Sequence, residues 1–275
     1  MAILLADIGG TNARFRWLSK GKISPLFTCC CDNFKSVYDL ISYFVQQNKY
    51  KLSGIVLAGA GPVNNGFLRW TNRPKWHVSE KELKKKYSLK KVLVVNDVQA
   101  QGEGLKKLYK CDQNSILMTA GTGLGGCFIL NGKVISGEVG QIKTESGLKI
   151  EKTVSGKGIV YLYHCFGGDK KINSAHQIDD LRQGKDKIAV KTYQTFYQKW
   201  GQFSAQLATA FCAKGGVFLW GGLIPKNAKD KKDFYTSYQK NLPPIFKKFS
   251  AHFITDKNLA FKGLMALSVR EFGQS

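Results

Sequence analysis

A buried strand that runs into two glycines and comes straight back is the feature that restricts this chain most. Residues Ile3-Leu4-Leu5-Ala6-Asp7-Ile8-Gly9-Gly10-Thr11-Asn12-Ala13-Arg14-Phe15 place an apolar run before an acid, turn through Gly9-Gly10, and resume an apolar run. Such a pattern predicts a strand, a tight turn and a returning strand. Glycine carries no side chain, so N–H groups in the turn can approach an anion closely. Thr11 and Asn12 add neutral polar groups, and Asp7 stands where a carboxylate can hold a hydrated Mg²⁺ near phosphates. Taken alone, a Gly-Gly turn is equally an ordinary hairpin. The acid ahead of it favours phosphate, and so does a second turn, Gly121-Thr122-Gly123-Leu124-Gly125-Gly126, after the apolar run Ser115 to Ala120.

The two halves of the chain open alike. Strands are expected over 2–7, 12–18 and 22–29, then a helix from Val37 to Gln47 and a strand at Ile55 to Ala58. A short strand at Phe67 to Trp70 follows, and Ser79 caps a charged helix with Glu82 at the capping-box position. Lys91 to Val95 reads as a strand and Asn96-Asp97 leads into a helix to Leu108. The second half repeats the start: strand 115–120, glycine turn, and a hairpin closed by Asn131-Gly132. A helix over 155–165, a helical or loop stretch to 184 and a long helix over 186–213 come next. Val217 to Trp220 is a buried strand ending in a third glycine turn, Gly221-Gly222. Helices near 233–248 and 258–271, with a strand at 252–255, finish the chain. Two strand–glycine-turn–strand units suggest a duplicated domain facing itself across a cleft.

Several classes are excluded by what is missing. There is no Gly-x-x-x-x-Gly-Lys-Ser/Thr run and no strand–GxGxxG–helix unit of dinucleotide type. The protein-kinase set of catalytic-loop and Asp-Phe-Gly motifs is also absent. No apolar stretch approaches the roughly 20 residues that span a bilayer, and no signal peptide is read, so no membrane partner is expected. The seven cysteines, with Cys29-Cys30-Cys31 consecutive, form no paired metal-ligand spacing and fit a reducing cytoplasm. A formal charge of +23 raises the question of nucleic acid. The lysines are scattered, however, as in Lys84-Lys85-Lys86, Lys170-Lys171 and Lys231-Lys232, and read as solvated helix faces and loops.

Among the polar residues, Asn96-Asp97 at a strand end is well placed for proton transfer, since a carboxylate there can take a proton from an attacking hydroxyl. The same pair is equally suited to cap the helix that follows. Glu138 and Glu151 fall near turns, where carboxylates commonly just meet water. His77, His164, His176 and His252 share no spacing and no nucleophile, so none is read as a catalyst.

Taken together, these motifs resemble those of the bacterial glucokinases, ATP-dependent sugar kinases related to hexokinase. Ala6-Asp7-Ile8-Gly9-Gly10-Thr11 is similar to the family's first phosphate motif, Ala120-Gly121-Thr122-Gly123 to its second, and Gly216 to Pro225, with Gly221-Gly222, to its adenosine-side motif. Asn96-Asp97 stands where the family has a sugar-binding Asn and a catalytic Asp. Thr71-Asn72 with Trp76, and Glu138, resemble further family positions, and Glu151 ahead of Val154 to Gly158 matches a sugar-contacting Glu. The matches run in order from residue 3 to about 270.

The resemblance implies an α/β, two-domain actin-like ATPase fold (ribonuclease H-like) with mixed sheets and a cleft between the domains. It implies a small domain at 1–107 plus 258–275 and a large one at 108–257. It further implies ATP and Mg²⁺ as cofactors, with phosphates at Ala6 to Thr11 and at Gly121, Thr122 and Gly123. The adenosine side is then at Gly221 and Gly222, and Asp7 orients the metal through water. Asp97 becomes the general base for the sugar's 6-hydroxyl, with Asn96, Asp97, Glu138, Gln141 and Glu151 holding the sugar. A homodimer is expected, and no nucleic-acid partner.

The chain departs from the family in three places. Gln141 stands where the family has a sugar-contacting His, Asn258-Leu259 where it usually has Asn-Pro, and the chain is shorter than typical members. The cysteine-rich zinc motif of the related repressor and open-reading-frame kinases has no counterpart. The resemblance implies glucose as the substrate. Another hexose or an amino sugar, or a non-catalytic sugar-binding regulator, are the alternatives.

Overall fold

The computed structural model describes residues 1–273. The chain forms two compact units, one from residues 1–110 and the segment beginning at Asp256, the other from residues 111–255.

The first unit contains β1 (Ala2–Ile8), β2 (Asn12–Ser19), β3 (Lys22–Ile23), β4 (Phe27–Cys30), α1 (Val37–Gln46) and β5 (Leu52–Gly59). It continues with β6 (Val63–Asn64), β7 (Phe67–Arg69), β8 (His77–Ser79), α2 (Glu80–Tyr87), β9 (Lys91–Asn96) and α3 (Asp97–Leu108). Its main sheet runs β3-β2-β1-β5-β9, with β4 also on β2; β6, β7 and β8 form a small sheet of their own. β1 is antiparallel to β2 and parallel to β5, which is parallel to β9. All seven residues of β1 are buried, because alternate side chains enter two different cores. Leu4, Ala6 and Ile8 meet Phe15, Leu40, Ile41 and Phe44 on one face. Ile3 and Leu5 meet Val56, Ala58, Phe261 and Leu264 on the other.

Two local expectations change here. The strand expected over 22–29 is broken into β3 and β4. Pro25 has no N–H to pair, and Ser24 closes the break by donating its N–H to Trp17 O at 2.9 Å. Ser79 does cap α2, accepting the Glu82 N–H at 3.1 Å. The Glu82 carboxylate, however, accepts from the Tyr38 hydroxyl rather than reaching back to complete a capping box.

The second unit repeats the plan with β10 (Ser115–Ala120), β11 (Leu124–Leu130), β12 (Lys133–Gly137), α4 (Gly156–Cys165), α5 (Ala175–Gln183) and α6 (Lys187–Ala210). β13 (Gly216–Trp220), α7 (Ala228–Asn241) and β14 (Ala251–Phe253) complete it. The sheet order is β12-β11-β10-β13-β14, again with antiparallel strands on one side of the first strand and parallel strands on the other. Asn131 and Gly132 both take left-handed φ, +50° and +74°, as a two-residue hairpin turn demands. α6 lays Phe196, Trp200, Phe203 and Leu207 into a core with Ile116, Met118 and Leu219. The stretch left open before residue 184 is helical in α5, whose Ser174 and Gln177 form a full capping box. α7 starts earlier than the apolar spacing predicts, because Asn227 Oδ1 accepts the Asp230 N–H at 2.8 Å. It ends at Asn241, ahead of Pro243-Pro244, residues that cannot continue a helix.

The last helix, α8 (Leu259–Phe272), returns to the first unit and lies against α3. Two glycines set that approach. A Cβ on Gly263 would stand 1.7 Å from Ala100 O, and one on Gly104 would stand 2.0 Å from Leu259 O. Alanine improves helix propensity by up to about 1 kcal/mol, yet separating the two backbones costs more. Gly263→Ala is expected to destabilise the protein by about 2 kcal/mol, read as a lower urea midpoint. A midpoint unchanged or raised would show that α3 and α8 part at no cost.

Candidate active site

In the first unit the strand register does the positioning. Ile8 of β1 stands beside Gly59 of β5, and Gly59 beside Asn96 of β9. Three parallel strands therefore end in one row, and their following residues emerge at the same carboxyl edge, the edge that binds ligands in open α/β sheets. Ala6 and Ile8 are fully buried and support the turn that follows. Asp7 is 8% exposed, opposite Arg14 across the hairpin, with Arg14 Nη1 3.5 Å from its carboxylate. Burial raises the Asp7 pKa, and the Arg14 charge only partly offsets that.

The Gly9–Thr11 turn spends its carbonyls and keeps two of its three donors. Gly9 donates to Asn12 O at 3.0 Å, and Thr11 O accepts from the Cys31 N–H at 2.8 Å. Among the described residues, the Gly10 and Thr11 N–H groups have no acceptor. Neither Gly9 nor Gly10 has a left-handed φ, and a Cβ on Gly10 would meet only the Asn72 side chain, at an ordinary 3.6 Å. Backbone conformation does not require Gly10, and neither does internal packing. Its absent side chain leaves open space over two unused N–H groups.

Asn96 and Asp97 sit at the β9–α3 junction. Asn96 is 6% exposed; its Nδ2 donates to Gly61 O at 2.9 Å and its Oδ1 accepts the Val98 N–H at 3.0 Å. It is the N-cap of α3, and one amide hydrogen and one lone pair remain to it. Asp97 is the first residue of α3, half-buried, and its Oδ1 also accepts the Val98 N–H, at 2.9 Å. The N-terminal helix dipole favours negative charge at that point. So the capping role belongs to Asn96, and Asp97 stands next to it at the helix mouth.

The second unit carries an analogous turn. Gly121 donates to Gly123 O at 3.0 Å, and its own oxygen accepts the Gly156 N–H at 2.7 Å. Among the described residues, the Thr122 and Gly123 N–H groups have no acceptor. A Cβ on Gly121 would find nothing within 4 Å. The first turn of α4, capped by Ser155 Oγ on the Gly158 N–H at 2.9 Å, thus lies against this turn. Sequence reading missed that contribution, although Ser155-Gly156-Lys157-Gly158 carries the small residues a close approach needs.

The remaining expected residues of this unit divide into two groups. Gln141 Nε2 donates to Glu151 Oε1 at 2.8 Å, and a Cβ on Gly123 would stand 3.3 Å from Glu151 Oε2. Gln141, Glu151 and the Gly121–Gly123 turn therefore form one patch. Gly140 makes it possible, since a Cβ there would be 2.4 Å from Leu124 O and 3.2 Å from Glu151 Cβ. Glu138 is tied to the patch only through its main chain, its oxygen accepting the Gln141 N–H at 2.9 Å, and its side chain is exposed. Gly221 follows β13, next to the end of β10. It has φ +112°, and a Cβ would lie 2.3 Å from Ala120 O, so the fold requires it. Gly222 is exposed with nothing within 4 Å of a Cβ.

His164 meets Ile172 O, His176 meets Asp180, and His252 meets Ser250. Each of these hydrogen bonds is local in sequence. Among the described residues no cluster of three His, Cys, Asp or Glu side chains could hold a metal ion. A lone buried carboxylate such as Asp7 suits a Mg²⁺ that keeps most of its water and takes its other oxygens from phosphate, and such an ion would compete with the Arg14 guanidinium 3.5 Å away.

Comparison with known proteins gives the family and the fold. The family model Glucokinase matches residues 4–147 and 141–270. A glucokinase of Helicobacter pylori (strain P12) is 27% identical over 273 aligned positions, covering 81% of each chain. The crystal structure of a glucokinase from an Antarctic psychrotroph is 26% identical, with a TM-score of 0.76 over 97% of this chain and 98% of that one. A ROK family glucokinase from Streptomyces griseus, solved in complex with glucose and AMPPNP, shares the fold at 18% identity. Its TM-score is 0.74, over 97% of this chain and 99% of its own. Two α/β units of one plan, each with donor-rich glycine turns at its strand ends, make this an actin-like ATPase fold, and the chain belongs to the glucokinase family of sugar kinases.

Proposed function

We propose that this protein transfers the γ-phosphoryl group of Mg²⁺–ATP to the 6-hydroxyl of glucose, with Asp97 as general base. The observation that carries the reading is the pairing of unused N–H groups with glycines that packing does not demand, at Gly10-Thr11 and Gly121-Thr122-Gly123. A chain gains nothing structurally from Gly10 or Gly121, whereas a polyphosphate gains donors and room. Gly222, open in the same way, suits the adenosine side. The bound AMPPNP and glucose of the Streptomyces griseus protein support the same ligand classes here.

In this reading the Asp97 carboxylate accepts the proton of the 6-hydroxyl as its oxygen attacks the γ-phosphorus, and ADP leaves. The transferring group needs little covalent help, so positioning and charge stabilisation supply most of the rate. Asp7 holds the hydrated metal, and when bound the Mg²⁺ neutralises charge on the phosphate oxygens. Asn96, Glu138, Gln141 and Glu151 hold the other sugar hydroxyls. Gln141, already fixed by Glu151, offers a carbonyl oxygen and a second amide hydrogen.

The same reading places the enzyme in the cytoplasm, where its free thiols suit a reducing compartment, and expects a homodimer. Among the described residues no helix is long and apolar enough to cross a membrane.

ADP release from Mg²⁺–ATP, followed with glucose, mannose, fructose, glucosamine and N-acetylglucosamine, tests substrate and chemistry together. Glucose is expected to give the highest kcat/KM; preference for another sugar would keep the mechanism and replace the substrate. Asp97→Asn is expected to lower kcat by about 10²- to 10⁴-fold with little change in sugar affinity. Near-full activity in that variant would end the assignment of the base.

Asp7 gives a second, opposite-signed prediction. Its folded-state pKa is raised above the ordinary 3.8, chiefly by burial. Its stabilising contribution is therefore complete below about pH 3.8 and lost as pH rises through the raised value. The raised pKa marks a carboxylate whose charged form the ligand-free fold solvates poorly and a bound cation would stabilise. Asp7→Asn should then melt at a higher temperature without ligand and bind Mg²⁺–ATP more weakly. A lower melting temperature with unchanged nucleotide affinity would make Asp7 a structural residue.

A further inference from the structure

Arg73 is the charged side chain most closely engaged with the Gly9–Thr11 turn, and neither its motif nor its neighbours in sequence assign it a role. It lies in the loop Thr71–Trp76 between β7 and β8. That loop is closed on itself: Trp70 donates to Trp76 O at 3.1 Å, Arg73 to Trp70 O at 3.3 Å, and Trp76 to Arg73 O at 2.7 Å. The Arg73 guanidinium carbon lies 5.0 Å from the centroid of the Trp76 ring. Trp76 is 5% exposed and anchored by its indole N–H on Lys35 O at 3.1 Å. An ion pair with Asp32 holds the far end of the fork. Ring and carboxylate between them leave the guanidinium little freedom.

So held, Arg73 donates its Nε–H to Gly10 O at 2.5 Å. A peptide group is planar and trans, so its C=O and the following N–H point in opposite directions. Whatever fixes the Gly10 carbonyl fixes the Thr11 N–H, one of the two unspent donors of the turn. The next carbonyl, Thr11 O, is fixed by the N–H of Cys31, the residue before Asp32. A two-glycine turn left to itself would sample many peptide orientations, and binding would then have to select one of them.

We propose that Arg73 is a positioning residue for the nucleotide: held by Asp32 and Trp76, it grips the Gly10 carbonyl and so aims the Thr11 N–H at a phosphate oxygen of ATP. The inference rests on reading Gly9–Thr11 as a phosphate turn. It adds a residue outside that motif, and a mechanism that depends on geometry more than on charge.

The test compares Arg73→Gln, Arg73→Lys and Gly10→Val with the unmodified chain. ATP affinity is read beside the affinity for adenosine, which has no phosphates, and beside the sugar KM. Arg73→Gln is expected to weaken ATP about tenfold or more, the usual scale for one hydrogen bond to a charged group. Adenosine affinity and sugar KM should stay within about twofold. Arg73→Lys should not restore ATP binding, because an ammonium cannot serve Gly10 O and Asp32 with one planar fork. Full restoration by Lys would assign the effect to charge and overturn the proposal. Parallel weakening of ATP, adenosine and sugar with a lower melting temperature would also overturn it, by making Arg73 a loop staple only. If Arg73→Gln does not fold, Asp32→Asn takes its place. That variant should show a smaller loss confined to ATP, and unchanged ATP affinity would count against the proposal. Gly10→Val separates the two layers. Lost ATP binding there with normal binding in Arg73→Gln rejects Arg73 alone, and normal binding in both rejects the phosphate turn together with its positioning residue.

Discussion

The register between β1, β5 and β9 is the constraint on which the first unit depends. Once Ile8, Gly59 and Asn96 stand in one row, the turn after β1, the loop after β5 and the mouth of α3 must share an edge. A slip of one residue would turn every side chain of β1 to the wrong core, and with both faces of β1 buried no such slip is tolerated. Chemistry at that edge therefore inherits the precision of the hydrophobic core. The second unit obtains the same result from β10 and β13, where Thr119 pairs with Trp220 and the two glycine turns follow at once.

Strand ends leave both carbonyls and N–H groups without ladder partners, and this fold treats the two kinds differently. Protein donors take the carbonyls. Ile8 O accepts the Trp70 indole N–H at 2.9 Å, Gly61 O the Asn96 amide, Gly10 O the Arg73 guanidinium, and Gly121 O the Gly156 N–H. Gly9 and Gly121 spend their N–H groups within the turns, and among the described residues those of Gly10 and Thr11, and of Thr122 and Gly123, remain. Each turn thus presents positive potential without a lysine in the turn itself. The +23 formal charge is a separate matter. Several acids are committed to structured partners, such as Asp230 and Asp179 to Arg182 and Glu103 to Arg270 and Lys106. Most of the lysine excess is left on the surface.

How much of this was legible in the sequence follows the range of the interactions. The hairpins at Gly9-Gly10 and Asn131-Gly132, the strand 115–120 and the helix after Asn96 are set by residues close in sequence, and their patterns show them. The position of α7 was also readable, had Asn227 with Asp230 and then Pro243-Pro244 been weighed above apolar spacing. The break at Pro25 was readable in the same way. Arg73 was not. Its partner oxygen is 63 residues away, and only the return of the β7–β8 loop to the first turn brings them together. For the same reason Gln141 showed its departure from the family pattern in the sequence, while its bond to Glu151 did not.

That bond changes what the departure means. A histidine beside Glu151 could alternate between a charged and a neutral donor near neutral pH. The Gln141 amide cannot, so the only formal charge in the pair is that of Glu151. The hydrogen bond between them, 2.8 Å long, uses one amide hydrogen and fixes the plane of the group. The carbonyl oxygen and second hydrogen then have set directions. Fixed hydrogen-bonding groups discriminate strongly against a ligand that lacks the matching hydroxyl, because the unmatched groups are left unpaired. In the sugar-kinase reading proposed above, a pair fixed in this way keeps a directed set of hydrogen-bonding groups for sugar hydroxyls without the histidine.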